Sequence, residues 1–321
     1  MKKRSVKILK TIIPLALGAF FVWYSIGAAT PQERQKLWEH ISGANHFWVG
    51  LSLVLGLASH LLRGYRWKFL LEPMHYRPSF TNRVMAVLIG YVANLGVPRS
   101  GEFLRAATLT TYEKIPFEKS LGTIISERIA DLCMLLLVVG ISLLIQADDL
   151  ITWFKVNEVN PFLSIGILLI LTILGLFFIK LLRKSQNKFL VKIREFAVGI
   201  LEGMKSIVKM KRKKEFIFYT VLIWVLYVLM FYVVIFAIPS TSELPFGAVM
   251  VAFVVGSFAI TLTNGGLGVY PVALGAILLL FGIDKQSGEA FGWIVWGSQT
   301  LLNLVAGGLS FILLPIYNRM K

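Results

Sequence analysis

Residues 84–112 read VMAVLIGYVANLGVPRSGEFLRAATLTTY: an apolar run, a Pro-Arg-Ser-Gly turn, and a second, more polar run. Whether this stretch crosses a membrane or turns back decides the topology of the whole chain. Its apolar part, 84–98, holds about 15 residues and as a helix reaches only about 22 Å, short of a hydrocarbon core roughly 30 Å thick. Pro98 ends one helix, Gly101 permits a tight turn, and 102–112 leads back the way the chain came.

Outward from that stretch, further apolar blocks lie near 11–29, 47–62, 120–146, 159–182, 215–238, 246–263, 269–282 and 289–317. The 321 residues are 56% hydrophobic, with a mean hydropathy of +0.73. A soluble domain is closer to about 45–50% apolar, and a soluble globule of this composition would lack polar surface. The expected fold class is therefore all-α, a polytopic membrane helix bundle, in a single domain over 1–321. Cys133, the one cysteine, sits inside an apolar stretch and excludes an intrachain disulfide; it is expected in the core.

The net charge of +16 sits mainly between apolar blocks. That favours cytoplasmic loops and anionic lipid over nucleic acid as the partner of the basic residues. Lys2, Lys3, Arg4, Lys7 and Lys10 precede the 11–29 block, which is long for a cleaved signal and is read as a retained first span. The second block returns and delivers Arg63, Arg66, Lys68, Arg77 and Arg83 to the cytoplasm. If 84–98 also crossed, Asp148, Asp149 and Glu158 would be inside and the basic loop 183–214 outside, the reverse of the charge rule.

A re-entrant hairpin over 84–112 removes the conflict: 147–158 is then external and 183–214 cytoplasmic. Arg319 and Lys321 make the same demand at the C-terminus, so 246–263 and 269–282 form a second hairpin turning at Asn264-Gly265-Gly266-Leu267-Gly268. The result is six full spans plus two re-entrant hairpins, seven to eight transmembrane segments, with both termini cytoplasmic in the inner membrane. Each half runs span, span, hairpin, span in opposite senses, the plan of an inverted repeat. The halves share no residue-level similarity, and an ordinary seven- or eight-span bundle also fits the hydropathy.

Irregular backbone at bilayer depth must line protein or water, so the hairpin tips are where chemistry is expected. Arg99, Glu102 and Arg105 recur at a spacing of three, which on a helix makes one face. Glu127 and Asp131 are four apart with Arg128 between them, inside an apolar block, where charge is expensive unless paired or wetted. These groups suit either ion pairs that hold helices together or a guanidinium site for phosphate. Arg63 and Arg66 close the second block, where snorkelling to the interface accounts for them and lipid-phosphate contact is the alternative.

Gly265, Gly266 and Gly268 allow close backbone approach, and the half-helix after them would aim its free N–H groups at an anion. The segment 186–210 alternates apolar and basic residues at helical spacing, as a helix lying on the inner leaflet does. His40, His46, His60 and His75 show no metal-ligand spacing, and no nucleotide loop or Gly-x-Ser-x-Gly elbow appears. No metal, cofactor or catalytic residue is expected.

Arg63-Gly-Tyr-Arg-Trp67, Asn94, Pro98-Arg-Ser-Gly-Glu102 with Arg105, Glu127-Arg128 with Asp131, and Gly265-Gly-Leu-Gly268 occur together in this order. In this the chain resembles the transmembrane-region family of lysylphosphatidylglycerol synthases, flippase-like membrane proteins. The resemblance implies translocation of a phosphate-bearing lipid. It does not imply synthase activity, because the sequence ends at Lys321 with no aminoacyltransferase domain, and no enzyme is expected. Asn264 stands where the family commonly has proline, and Tyr270-Pro271 where a glutamate often follows, so the resemblance implies no acidic role at that tip of this chain.

The expected substrate contacts are Arg99, Arg105, Arg128, Arg63, Arg66, Asn94, Gly265, Gly266 and Gly268, with Glu102, Glu127 and Asp131 orienting them or carrying a coupling proton. The substrate is a phospholipid or a polyisoprenyl-phosphate-linked headgroup. A membrane-embedded lipid or glycolipid transferase, and an accessory subunit docking an envelope-biogenesis partner, are the rival readings.

Overall fold

The computed structural model describes residues 19–27, 29–97, 99–146, 210–263 and 265–320. The first part of the 11–29 block, Pro98, the 147–158 loop, the 159–182 block, Asn264 and the 183–214 loop up to 209 lie outside the described residues, as does the surface helix expected over 186–210, Met210 excepted.

Ten α-helices account for most of the described residues, and no strand is found among them: α1 (Pro31–Ser42), α2 (His46–Arg66), α3 (Lys68–Leu71), α4 (Phe80–Gly96), α5 (Ser100–Glu113), α6 (Phe117–Ile145), α7 (Lys213–Tyr232), α8 (Phe246–Leu262), α9 (Val269–Leu279) and α10 (Lys285–Arg319). A π-helical turn, Trp23–Gly27, precedes them. Local chemistry sets the starts. Thr30 and Glu33 form a reciprocal capping box ahead of α1, and the side chains of Asn45, Ser79 and Asp284 cap α2, α4 and α10.

Four stretches are long and apolar enough to span a bilayer: His46–Met74, Phe117–Ile145, Lys213–Ala237 and Lys285–Arg319. Their polarity is inside out relative to a soluble bundle. Leu144 is 77% exposed, and Leu132 and Leu136 of α6 and Val305, Phe311 and Ile312 of α10 also face outward, while Arg66 and Glu127 are fully buried. In water that arrangement would lose the hydrophobic term; in lipid it is the stable one. The protein is a multi-pass membrane protein. Cys133, expected in the core, is exposed on α6. It shares this outward face with Leu132, where a small apolar thiol meets lipid at no cost.

The short helices pair into two hairpins. In the first, α4 and α5 have 17 and 14 residues, less than the ~20 a span needs. Gly90 lies against Gly101 so tightly that a Cβ on Gly101 would strike the Gly90 carbonyl. The hairpin starts and finishes at one end of the bundle, where Ser79 donates through both its N–H and its hydroxyl to Glu113 at 2.9 Å. The same end gathers Arg83 on the Gly64 carbonyl, Asn82 on Asn318, and Arg212 near Glu72.

The second hairpin, α8 and α9, opens on the opposite end, where Gly247 abuts Gln146, just past the end of α6, and Gly275 abuts Glu289 of α10. The two tips touch: a Cβ on Gly265 would lie 3.5 Å from Leu95 Cδ2.

Around this pair, α2 runs along α7, α10 packs on α4 and α9, and α6 packs on α5 and α8. Small residues let these backbones approach. Gly307 meets the Leu88 carbonyl, Gly292 meets Pro271, and Gln299 reaches from α10 to Ser52 of α2 at 3.0 Å.

Candidate functional site

At the end of the bundle where the first hairpin opens, α2 and α6 face each other. Arg63 and Arg66 are three apart on α2, and Glu127 and Asp131 are four apart on α6, so each pair presents one face. Arg63 Nη1 bridges both carboxylates, bonding Glu127 and lying 2.8 Å from Asp131 Oδ2. Arg66 Nη2 lies 3.2 Å from Asp131 Oδ1 and 3.4 Å from Glu127 Oε1. From α5, Arg105 forks onto Glu127 at 3.0 and 3.2 Å.

Neighbouring side chains close the arrangement. Arg63 donates to the Tyr227 hydroxyl at 3.0 Å, which meets the Tyr91 hydroxyl at 3.3 Å, and Arg66 donates to Thr220 at 2.9 Å. Arg105 stacks on Trp67, its guanidinium carbon 4.4 Å from the ring centre, while the Trp67 indole donates to Thr123.

Burying such charges costs several kcal/mol per ion unless geometry and hydrogen bonds repay it. Here each carboxylate takes at least two guanidiniums. Yet three buried guanidiniums face two carboxylates, so one positive charge is uncompensated, and Nε of both Arg66 and Arg105 has no hydrogen-bond partner. On the rim, Arg128 is 42% exposed and pairs with Glu102 at 2.8 Å; it also lies 3.9 Å from Asp131. The result is an arginine-rich cluster with surplus positive charge and an exposed guanidinium on its rim, groups whose forked donors match the oxygens of an anion.

The expected site residues divide accordingly. Arg63, Arg66, Arg105, Glu127 and Asp131 come together, with Arg128 and Glu102 beside them. The first two do not snorkel: α5, α6 and α7 cover the end of α2 and leave the guanidiniums no route to water.

Arg99 is not on the helical face of Glu102 and Arg105. It forms the turn itself, in a left-handed conformation with φ 63°, and its side chain is exposed. Asn94 spends its carbonyl oxygen on the Gly101 N–H at 2.8 Å, which pins the hairpin. Gly265, Gly266 and Gly268 do adopt positive φ, of 69°, 82° and 68°. Their turn packs on Leu95, Ile260, Tyr270 and Trp296, with Trp296 donating to the Gly265 carbonyl at 2.7 Å. The tips therefore meet through apolar and backbone contacts, while the charges gather along the flanks of α2, α5 and α6.

Tyr227, Tyr91 and Thr220 were not legible as site residues. The signal was available in part, since Thr220 and Tyr227 are seven apart, two turns of α7 on one face.

An all-α membrane bundle with a buried, arginine-rich charge cluster is the class these observations define. The sequence matches the family described as lysylphosphatidylglycerol synthase TM region over residues 11–307, and the chain belongs to that family. It is also similar to a UPF0104 membrane protein from Methanocaldococcus jannaschii, 26% identical over 156 residues, 48% of this chain and 45% of that protein. The similarity thus spans less than half the length of that relative. No solved structure matches.

Proposed function

We propose that the chain is a lipid translocator of the bacterial inner membrane. It would bind a phosphate-bearing headgroup at the arginine cluster and pass it between leaflets while the acyl chains stay in lipid. The observation that carries this reading is the surplus of guanidinium over carboxylate in a largely buried cluster with one exposed arginine on its rim, inside a lipid-facing bundle. Phosphate oxygens match the arginine fork, and a monoanionic headgroup would cancel the uncompensated charge. Arg128, exposed at the mouth, makes first contact; Arg63, Arg66 and Arg105 complete the site; Glu102, Glu127 and Asp131 hold them in place. No bond in the lipid is made or broken.

Two opposed re-entrant hairpins in an inverted repeat suit alternating access. The packing supports that plan. The hairpins open on opposite ends and touch at their tips, and α10 against α4 has its counterpart in α6 against α8. The end holding Arg66, Arg83, Arg212 and Arg319 is assigned to the cytoplasm by the charge rule.

The test is a headgroup-accessibility assay in proteoliposomes with a panel of anionic and zwitterionic lipids. Wild type is expected to exchange an anionic phospholipid well above empty vesicles. Arg128→Gln, which removes a charge-assisted contact of about 1.5–3 kcal/mol, is expected to weaken lipid binding about 10- to 100-fold. Exchange equal to empty vesicles for every lipid, with the protein folded, rejects the translocator. Conversion of a labelled lipid donor to product would establish the transferase instead.

A further inference from the structure

Glu127 and Asp131 are poor carriers of a transferable proton. Their oxygens already accept guanidinium hydrogens, and protonating either would strand a buried arginine. A different carboxyl, at the other end of the bundle, has the opposite character.

Glu289 lies near the start of α10 and is 4% exposed. Its Oε2 accepts the Ser25 hydroxyl, whereas Oε1 has no hydrogen-bond partner. Lys285 Nζ stands 3.8 Å from Oε1 on a side chain that is 46% exposed. On the other side Gly275 of α9 presses against the glutamate stem, so no water reaches it from there. The Glu289 carboxyl also borders a cavity of about 10 Å³, lined with it by Ser25, Glu33, Leu37, Lys285 and Gln286 and open to the surface. That is room for about one water molecule and too little for a headgroup.

The other charged groups around it are engaged. The Thr30 backbone N–H and hydroxyl hold the Glu33 carboxyl below its usual range, and Glu33 also accepts from Gln286. Burial opposes ionisation of Asp284, but the Ser287 hydroxyl and backbone N–H bring its carboxyl below the ordinary value. His40 is bonded to the Ser287 hydroxyl, and Lys285 reaches over the Tyr24 ring. Among the cavity's charged lining, two carboxylates face one lysine, one negative charge in excess, and a single proton cancels it.

We infer that Glu289 is a proton-binding site at the end of the bundle opposite the arginine cluster. A proton crosses the cavity from hydronium, leaving water, and forms an O–H bond at Oε1. Lys285 is then released toward Glu33 and solvent, and the contact between α9 and α10 loses its charge. The second hairpin thereby senses the proton on one face of the membrane while the first faces the anion on the other. Proton binding here does not depend on lipid, so it stands or falls separately from the translocator reading.

The test is pH-difference infrared spectroscopy on the purified, lipid-free full chain. A protonated-carboxyl band is expected to grow as pH falls and to be missing in Glu289→Gln, which keeps the acceptor for Ser25. Ser25→Ala removes a donor to the charged form and should move the midpoint to higher pH; Glu33→Gln removes a neighbouring negative charge and should move it lower. If Glu289→Gln does not fold, those two opposite shifts decide. A band unchanged in Glu289→Gln, no titrating band at all, midpoints unmoved in both neighbours, or suppression of the band by Na⁺ at constant pH would each overturn the assignment.

Discussion

Glu127→Ala is expected to destabilise the fold by about 3–5 kcal/mol, the cost of breaking a buried ion pair by removing one partner. The residue is fully buried and accepts from Arg63 and Arg105, with Arg66 3.4 Å away. Without it, three buried guanidiniums are left with Asp131 as the one remaining carboxylate of the cluster. Like charges then repel in a medium of low dielectric, and the helices that carry them, α2, α5 and α6, are pushed apart.

Thermal unfolding in detergent, followed by size-exclusion fluorescence, reads the effect. Glu102→Ala is the comparison. It removes the partner of the half-exposed Arg128, and a solvated pair is worth about 0–1 kcal/mol. Equal losses from the two variants would mean that the buried cluster is not the keystone of this end of the bundle.

Gly101→Ala is the second large expected effect, about 1–3 kcal/mol for overpacking together with a loss of lipid binding. The added Cβ would collide with the Gly90 carbonyl and lie 2.8 Å from Asn94 Nδ2. Backbone cannot move aside as a flexible side chain can, so α5 must shift outward. Arg105 sits one turn further along α5, against Gly90, and the shift draws it from Glu127. The expected signature is a folded but less stable protein whose affinity for anionic lipid falls more than that of Gly96→Ala. Gly96 has open space where a Cβ would go. A Gly101→Ala protein as stable and as competent in lipid binding as Gly96→Ala would show that the hairpin tolerates separation and does not position Arg105.

Much of this architecture could be read from residues alone, for a simple reason. Helix length and side-chain polarity are local properties, and the bilayer imposes a fixed thickness on them. The 84–98 block is short for a span, and charge parity favoured a turn at 98–101; the helices α4 and α5 do turn there. The same reasoning found the glycine turn of the second hairpin. Glu127 and Asp131 announced themselves because two acids at helical spacing inside an apolar run are costly unless paired, whether in ion pairs that hold helices together or in a guanidinium site.

What the sequence left open is what depends on neighbours far along the chain. An arginine near a helix end can snorkel to water or be roofed over, and nothing in Arg63-Gly-Tyr-Arg66 distinguishes the two. The choice was made by α6, about sixty residues on, and α7, about a hundred and sixty, which cover the end of α2 and supply Glu127, Asp131, Thr220 and Tyr227. Arg99 fails the other way. Spacing put it on the face of Arg105, but the tight turn demanded a left-handed residue at that point and took Arg99 out of the helix. Glu289 carried no motif at all; its free oxygen became visible only once Ser25 and Gly275 closed around it. The residues alone specified an all-α membrane bundle and where its short helices turn, because thickness and charge act on each segment separately. Tertiary packing decided which charges are buried together, because burial of one side chain is a property of the others that cover it.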